Sequence, residues 1–298
     1  MPELPEVETV RRSLTPHLSG RSITEVQIFL PKIVRYLSVD EFKQKLLGQR
    51  FLKLDRRGKY LLARLTGGWT LVVHLKMTGR LIYGPPGLVI NRDEGAWCHL
   101  HAAFSLDNGG VLVFHDLRQF GYLALIQTED CLSLKGLKDL GPEPLGQEFT
   151  LNWLEKKVRG RKAKIKQLLL DQTIVAGIGN IYADEILYAA KLHPERIGAS
   201  LTADELARLY QSIQSVLQQG IDCRGTSISD YVDGEGQPGE FQNYLQVYRR
   251  TGQDCRRCAS VIQRLKVGGR SSHYCPQCQP NVCDHHHGGA RHAAKQHD

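Results

Sequence analysis

Four cysteines near the C-terminal end constrain this chain more than any other feature. Cys255 and Cys258 form one Cys-x2-Cys pair and Cys275 and Cys278 a second, with sixteen residues between the pairs. Two such knuckles at this separation match a tetrahedral four-cysteine zinc site. All four positions are then filled by protein and none is left for a catalytic water, so one structural Zn2+ is expected. The surrounding module, about 245–279, is strongly basic. Arg249, Arg250, Arg256, Arg257, Arg264, Lys266 and Arg270 are opposed only by Asp254. A finger of this charge points to a nucleic-acid contact; a solvated protein-interaction finger is the competing reading.

The charge of the whole chain agrees. Its 298 residues carry a formal net charge of +8, which favours a polyanionic partner, either nucleic acid or an anionic membrane. No apolar run approaches the ~18 residues of a membrane span. The acidic, proline-bearing N-terminus is unlike a signal peptide. A cytoplasmic chain is therefore expected, with reduced thiols at Cys98, Cys131, Cys223 and Cys283. Hydrophobic residues make up 41%, enough at this length for two domains with cores of their own.

Periodicity divides the chain. Val7, Val10, Leu14 and Leu18 share one face of a helix over 5–18. Pro5 suits its first turn, and Pro16 is expected to bend it or end it early. From 21 to 130 the pattern changes to short β runs: Ile23–Phe29, Arg50–Leu54, Tyr60–Leu65, Thr70–Leu75, Arg80–Tyr83, His99–Leu106, Val111–Phe114 and Tyr122–Ile126. With hairpin signals at 66–68 and 107–110, these predict an antiparallel sandwich. A Gly/Pro-rich linker, 141–149, precedes helices at Leu151–Val158, Lys162–Asp171, Asn180–Lys191 and Thr202–Gln219. A polar, glycine-bearing loop occupies 224–240, and the His-rich tail from Pro280 reads as disordered. The expected architecture is α+β multidomain: 1–140, a helical domain over 150–244 and the zinc module.

The chain opens Met1-Pro2-Glu3-Leu4-Pro5-Glu6-Val7-Glu8. Loss of Met1 would leave Pro2 with a free secondary amine beside the Glu3 carboxyl. An amine nucleophile next to an acid is what Schiff-base chemistry requires. Alone, such a terminus is more often frayed and silent. The helix from Pro5 would hold it in place. Further along, Ala176-Gly177-Ile178-Gly179-Asn180 reads as a tight turn with Asn180 as helix N-cap, its free N–H groups suited to phosphate. Upstream lie Lys156, Lys157, Arg159, Arg161, Lys162, Lys164 and Lys166, a backbone-gripping stripe or simply a solvated face. In the β region, Lys59 follows Arg56-Arg57-Gly58, and two stretches end in glycine, His74–Gly79 and Asp116–Gly121. Met77, Arg118 and Phe120 sit on loop tips if each glycine marks a turn, where an apolar wedge for a duplex belongs. From the residues alone, core positions for Met77 and Phe120 are the favoured reading, and a lone His74 is more often structural than catalytic.

Together these stretches resemble the formamidopyrimidine-DNA glycosylase family, bacterial enzymes that remove 8-oxoguanine and ring-opened purines. The likeness runs from Pro2 to about Gln279. It rests on Pro2–Thr9, Arg57-Gly58-Lys59-Tyr60, His74–Gly79, Asp116–Gly121, Leu170 through Tyr182, and the zinc hairpin with Gly269-Arg270. The resemblance implies a helix-two-turns-helix domain, a monomer acting on double-stranded DNA with oxidised bases, and neither membrane nor nucleotide cofactor. It implies Pro2 as nucleophile at C1′ and Glu3 as acid/base. Lys59, His74, Asn180 and Arg270 would bind phosphates, and Lys166 would position the lesion strand. Met77, Arg118 and Phe120 would fill the gap left by the everted nucleotide, with Arg118 reading the orphaned cytosine. Loop 224–240 would close over the base with amides from about Thr226 to Tyr231. Gln119 departs from the pattern, since a second basic residue is common there. Two alternatives stand beside this one. An endonuclease VIII-like enzyme would prefer oxidised pyrimidines, although Leu4 stands where that sister family typically has glycine. A zinc-finger DNA-binding protein would lack catalysis altogether.

Overall fold

A computed structural model of the chain describes residues 1–88, 97–228 and 230–281. Cys283 and the histidines of the tail lie outside the described residues.

The first helix, α1 (Leu4–Leu18), buries Leu4, Val7, Val10, Leu14 and Leu18. Val7, Val10, Leu14 and Leu18 belong to the core of the adjoining β-sandwich. Pro16 does not end it early: Ser19 N still donates to Thr15 O, and the helix runs on to Leu18. A proline in a last turn removes one intrahelical bond where few remain to lose.

The sandwich has two sheets. One is ordered β1 (Ile23–Ile28), β7 (Leu100–Leu106), β8 (Val111–Asp116), β6 (Gly79–Gly84). The other is ordered β2 (Val34–Arg35), β9 (Tyr122–Gln127), β5 (Trp69–His74), β4 (Tyr60–Leu65), β3 (Phe51–Arg57). All eight expected strands are present. The short strand β2 was not expected, and it pairs parallel to β9 in an otherwise antiparallel sandwich. Also unforeseen is α2 (Val39–Leu46), although its capping box is legible: Glu41 N donates to Ser38 Oγ and Ser38 N to Glu41 Oε2. Phe42 and Leu46, one turn apart, bury its inner face.

The helical domain contains α3 (Leu151–Val158), α4 (Ile165–Leu170), α5 (Asn180–Ala189) and α6 (Ala203–Asp222). α4 begins at Ile165 rather than Lys162 because the preceding backbone pairs elsewhere. Lys164 bridges to Ile197, and Ile165 N donates to Arg196 O. The linker is anchored: the Glu143 carboxylate accepts from Gly58 N and from Arg56 and Arg57. The zinc module is a hairpin of β10 (Gln263–Val267) and β11 (Arg270–Tyr274) packed on α5. Its turn places Gly268 and Gly269 at φ +55° and +79°, the left-handed pair that a two-residue hairpin of this type requires.

Candidate active site and nucleic-acid interface

Two glycines bring the N-terminus to the helical domain. Gly177, at φ +89°, lets Leu4 N reach its carbonyl at 3.0 Å, and a Cβ there would stand 2.6 Å from Leu4 Cβ. A Cβ on Gly179 would overlap the Glu3 carboxyl. The Glu3 carboxylate instead accepts from Gly179 N at 2.7 Å, Ile181 N at 2.9 Å and Tyr182 N at 3.3 Å. It thus caps α5 from outside that helix. This corrects two expectations. Asn180 is the first helical residue and not the cap, and its Nδ2 donates to Ser271 O at 3.1 Å. Three of the N–H groups read as phosphate-ready, those of Gly179, Ile181 and Tyr182, are already taken by an internal anion, which satisfies the same positive helix end.

Glu3 is 2% exposed and Pro2 is buried beside it. Burial raises the Glu3 pKa to about 7, against the opposing pull of Lys59. Such a carboxyl holds a proton near neutrality and can give it up. Lys59 is itself buried, which pushes its pKa down, and its Nζ donates to Ile178 O at 2.9 Å. Glu6 lies one turn on. Its carboxylate accepts from Glu3 N at 2.8 Å, Tyr182 OH at 2.8 Å and Thr226 N at 2.7 Å. Burial raises its pKa as well. Glu6 is not among the residues that the sequence alone singled out; its signal was its place three residues after Glu3, the return position of a capping box.

Two clefts meet at Met1. One, about 410 Å3, is lined by Lys59, His74, Lys76, Asn180 and Arg270. The other, about 530 Å3, is lined by Glu3, Met77, Arg249, Arg264 and Arg270. His74 closes β5, its ring against Tyr60 at 4.5 Å, with Nδ1 accepting from Lys76 N at 3.0 Å. Burial, then Lys76 and Lys59, hold its pKa down at about 3. A neutral ring whose Nδ1 already accepts presents Nε2 as an N–H donor.

Met77 and Phe120 are not core residues: they are 40% and 52% exposed, and Arg118 is exposed between them. Its guanidinium lies 5.0 Å from the Phe120 ring centre. Gln119 stands at φ +56°, at the turn of this loop. All three side chains therefore stand out on loops rather than in the core, as the two closing glycines suggest.

The basic run before α5 is not one surface stripe. Lys166 has no exposed surface; its Nζ lies 2.6 Å from Asp184 Oδ1 and 2.7 Å from Ser271 O. A place at the end of a charged run could not show that this side chain turns inward onto α5. In the 224–240 loop, Thr226 N is committed to Glu6 and Ser227 N to Gln242 Oε1. Two of the amides assigned to a ligand are therefore occupied. The Tyr231 hydroxyl donates to Glu6 O at 3.2 Å, which ties the loop to α1. Ser229 lies outside the described residues.

The sulfurs of Cys255, Cys258, Cys275 and Cys278 all lie within 4.8 Å of one another. Bonds of ~2.3 Å to one tetrahedral zinc place sulfurs about 3.8 Å apart, so the donor set fits. Arg257 N and Cys278 N donate to Cys255 and Cys275 sulfurs at 3.4 and 3.3 Å, the polarity expected around thiolates.

Comparison with known proteins follows the same division. Residues 1–123 match the formamidopyrimidine-DNA glycosylase N-terminal domain, 140–232 its H2TH domain, and 252–281 the zinc finger found in FPG and IleRS. The formamidopyrimidine-DNA glycosylase of Heliobacterium modesticaldum is 53% identical over 279 residues, covering 94% of this chain and all of that one. That of Pelotomaculum thermopropionicum is 52% identical over 94% of this chain and 99% of its own. Among solved structures, a Lactococcus lactis FPG mutant in complex with a Fapy-dG containing DNA superposes with a TM-score of 0.86 at 38% identity, over 94% of this chain and 100% of that one. The same organism's wild-type FPG, in complex with an oxidized pyrimidine containing DNA, gives 0.85 at 38% identity and the same coverage. On its sequence, its domain order and its fold, this chain belongs to the formamidopyrimidine-DNA glycosylase family.

Proposed function

We propose that this chain is a bifunctional DNA glycosylase and abasic-site lyase that excises oxidised purines from duplex DNA, with Pro2 as nucleophile. One observation carries the reading. Pro2 is followed directly by a residue with a buried carboxyl whose pKa is about 7, and Met1, the residue before it, lines both of the clefts that hold Lys59, Arg264 and Arg270. Cations along a cleft suit phosphates, and an acid beside an amine suits attack at an acetal carbon.

Loss of Met1 frees the proline nitrogen. An α-amine with pKa near 8 is roughly one-tenth unprotonated at pH 7, against under a thousandth for an ordinary lysine, and nearby cations increase that fraction. The base must first leave the stack, at a cost of a few kcal/mol that a wedge in the vacated space offsets. The Pro2 nitrogen then bonds to C1′ and the C1′–base bond breaks, its electron pair leaving with the base, which takes up the proton that the nitrogen sheds. Glu3 gives its proton to O4′ as the sugar ring opens, and an iminium results. A secondary amine forms an iminium with no N–H proton to lose, so it persists as an electron sink. Loss of a C2′ proton then expels the 3′ phosphate, and a second elimination expels the 5′ phosphate.

Arg118 donates to the acceptors of the orphaned cytosine, and Met77 and Phe120 occupy the gap. Lys59, His74, Asn180 and Arg270 hold flanking phosphates. Lys166 acts from beneath by holding Ser271 and α5 in register. One zinc ion, held by Cys255, Cys258, Cys275 and Cys278, is structural and stiffens the hairpin that presents Arg264 and Arg270.

Borohydride trapping on an 8-oxoguanine duplex tests the covalent step: peptide mapping should find the DNA joined to Pro2, and an adduct elsewhere or none overturns the mechanism. Faster excision of thymine glycol than of 8-oxoguanine opposite cytosine would move the substrate to the pyrimidines.

A further inference from the structure

The loops that carry Met77 and Arg118 leave one end of the sandwich from paired strands. Gly79 of β6 sits opposite Asp116 of β8 in the antiparallel register. Each loop is closed at its base by a glycine amide. Gly79 N donates to Leu75 O at 2.9 Å, and Gly121 N to Asp116 Oδ2 at 2.7 Å. Neither position has room for a side chain: a Cβ at 79 would overlap the Leu75 backbone, and one at 121 would stand 2.7 Å from the Phe114 ring.

One buried carboxylate joins the two loops. Asp116 has no exposed surface. Its Oδ1 accepts from the Thr78 hydroxyl at 2.5 Å and from Arg118 N at 3.2 Å. The Thr78 hydroxyl accepts in turn from Arg118 N at 3.0 Å. Thr78 therefore donates to the base of the Arg118 loop and accepts from its tip, while sitting next to Met77. The main-chain oxygen of Asp116 accepts from Gln119 N at 3.3 Å and meets His101 Nε2 at 2.8 Å. Hydrogen bonds to an ionised, buried acceptor are the strong ones. Above this base the wedge side chains stand in solvent, so their relative placement depends on the loops beneath them.

We propose that the Thr78 hydroxyl and the Asp116 carboxylate form a latch that makes Met77, Arg118 and Phe120 one rigid wedge, and that Thr78 thereby sets how strictly the base opposite the lesion is read. The proposal rests on the reading of Arg118 as the residue that faces that base. Without the hydroxyl, Arg118 N loses an acceptor and Asp116 Oδ1 a donor. The two loops then move independently, and the guanidinium reaches positions that accept a wrong base. Thr78 is a positioning residue: it acts through Arg118.

The test uses full-length protein lacking Met1. Single-turnover excision of 8-oxoguanine is measured opposite cytosine and opposite adenine. Thr78→Val keeps the shape and removes the hydroxyl; Thr78→Ser keeps the hydroxyl. Thr78→Val is expected to reduce the cytosine-over-adenine ratio about tenfold, the size of one charge-assisted hydrogen bond, and Thr78→Ser to stay within about twofold of the parent. Thr78→Ala, a second hydroxyl-free variant, is expected to match Thr78→Val. A parental ratio in both hydroxyl-free variants, or an equal drop in Thr78→Ser, overturns the latch. Arg118→Ala, run alongside, separates the two claims. If it leaves the ratio unchanged, the reading of Arg118 fails; if it lowers the ratio while the hydroxyl-free variants do not, only the latch fails.

Discussion

Lys166 Nζ lies 2.6 Å from Asp184 Oδ1, and neither side chain has any exposed surface. The other Asp184 oxygen accepts from His273 N at 2.9 Å and faces His273 Nδ1 at the same distance. One aspartate on α5 thus ties α4 to the zinc hairpin, and Arg270 stands three residues before His273 on that hairpin. Removing one partner of a buried pair leaves an uncompensated charge. Lys166→Met is expected to lower the unfolding free energy by about 3–5 kcal/mol, measured by urea denaturation. A loss under about 1 kcal/mol would show that solvent or His273 replaces the lysine.

Glu3→Gln removes the proton that the carboxyl carries. Excision is expected to fall at least about a hundredfold with duplex affinity retained, since positioned acid catalysis is worth that much. Because Pro2 must be unprotonated and Glu3 protonated, the parent's pH–rate profile is expected to combine a limb that rises as the amine loses its proton and a limb that falls from about 7, where Glu3 loses its proton. The falling limb should vanish from the residual activity of Glu3→Gln. The same shift bears on stability. The folded-state pKa is raised, so the folded protein binds the proton more tightly than the unfolded chain. Stability from this group is full below its ordinary value of 4.5 and declines as pH rises through about 7. A falling limb that persists unchanged in Glu3→Gln would remove Glu3 from this role.

Gly179→Ala puts a methyl group into the Glu3 carboxyl. A displacement of about 1 Å at a catalytic group costs on the order of a hundredfold in rate. Single-turnover excision should show that loss while zinc content stays at the parental level. An excision rate near the parent's would mean that the carboxyl is held by Ile181 and Tyr182 alone.

Metal removal should separate binding from fold. Chelation, or Cys275→Ser at a fully buried position, is expected to weaken duplex affinity about tenfold or more, because phosphate contacts carried by the hairpin are lost. The sandwich core shares no residue with the cluster formed by Cys255, Cys275, Tyr188, Val247 and Ile262, so β-sheet circular dichroism should persist. Fluorescence anisotropy at two salt concentrations is the measurement; an unchanged affinity and salt slope would take the finger out of the interface.

Local pattern was enough for much of this protein. The apolar positions of α1, the eight strands and the spacing of the four cysteines each encode a short-range regularity, and each is present in the fold. Ser38-x-x-Glu41 was equally readable as the start of α2. The tertiary structure alone decided what the polar groups at the centre do. Glu3 meets Gly179 across 176 positions and Glu6 meets Thr226 across 220. A glycine turn that looks ready for phosphate can as well be ready for a carboxylate, because a helix N-terminus attracts either anion. Lys166 belongs by sequence to a charged run and by structure to the core. Periodicity reports which face of an element is buried; it carries no record of which distant partner satisfies a buried charge.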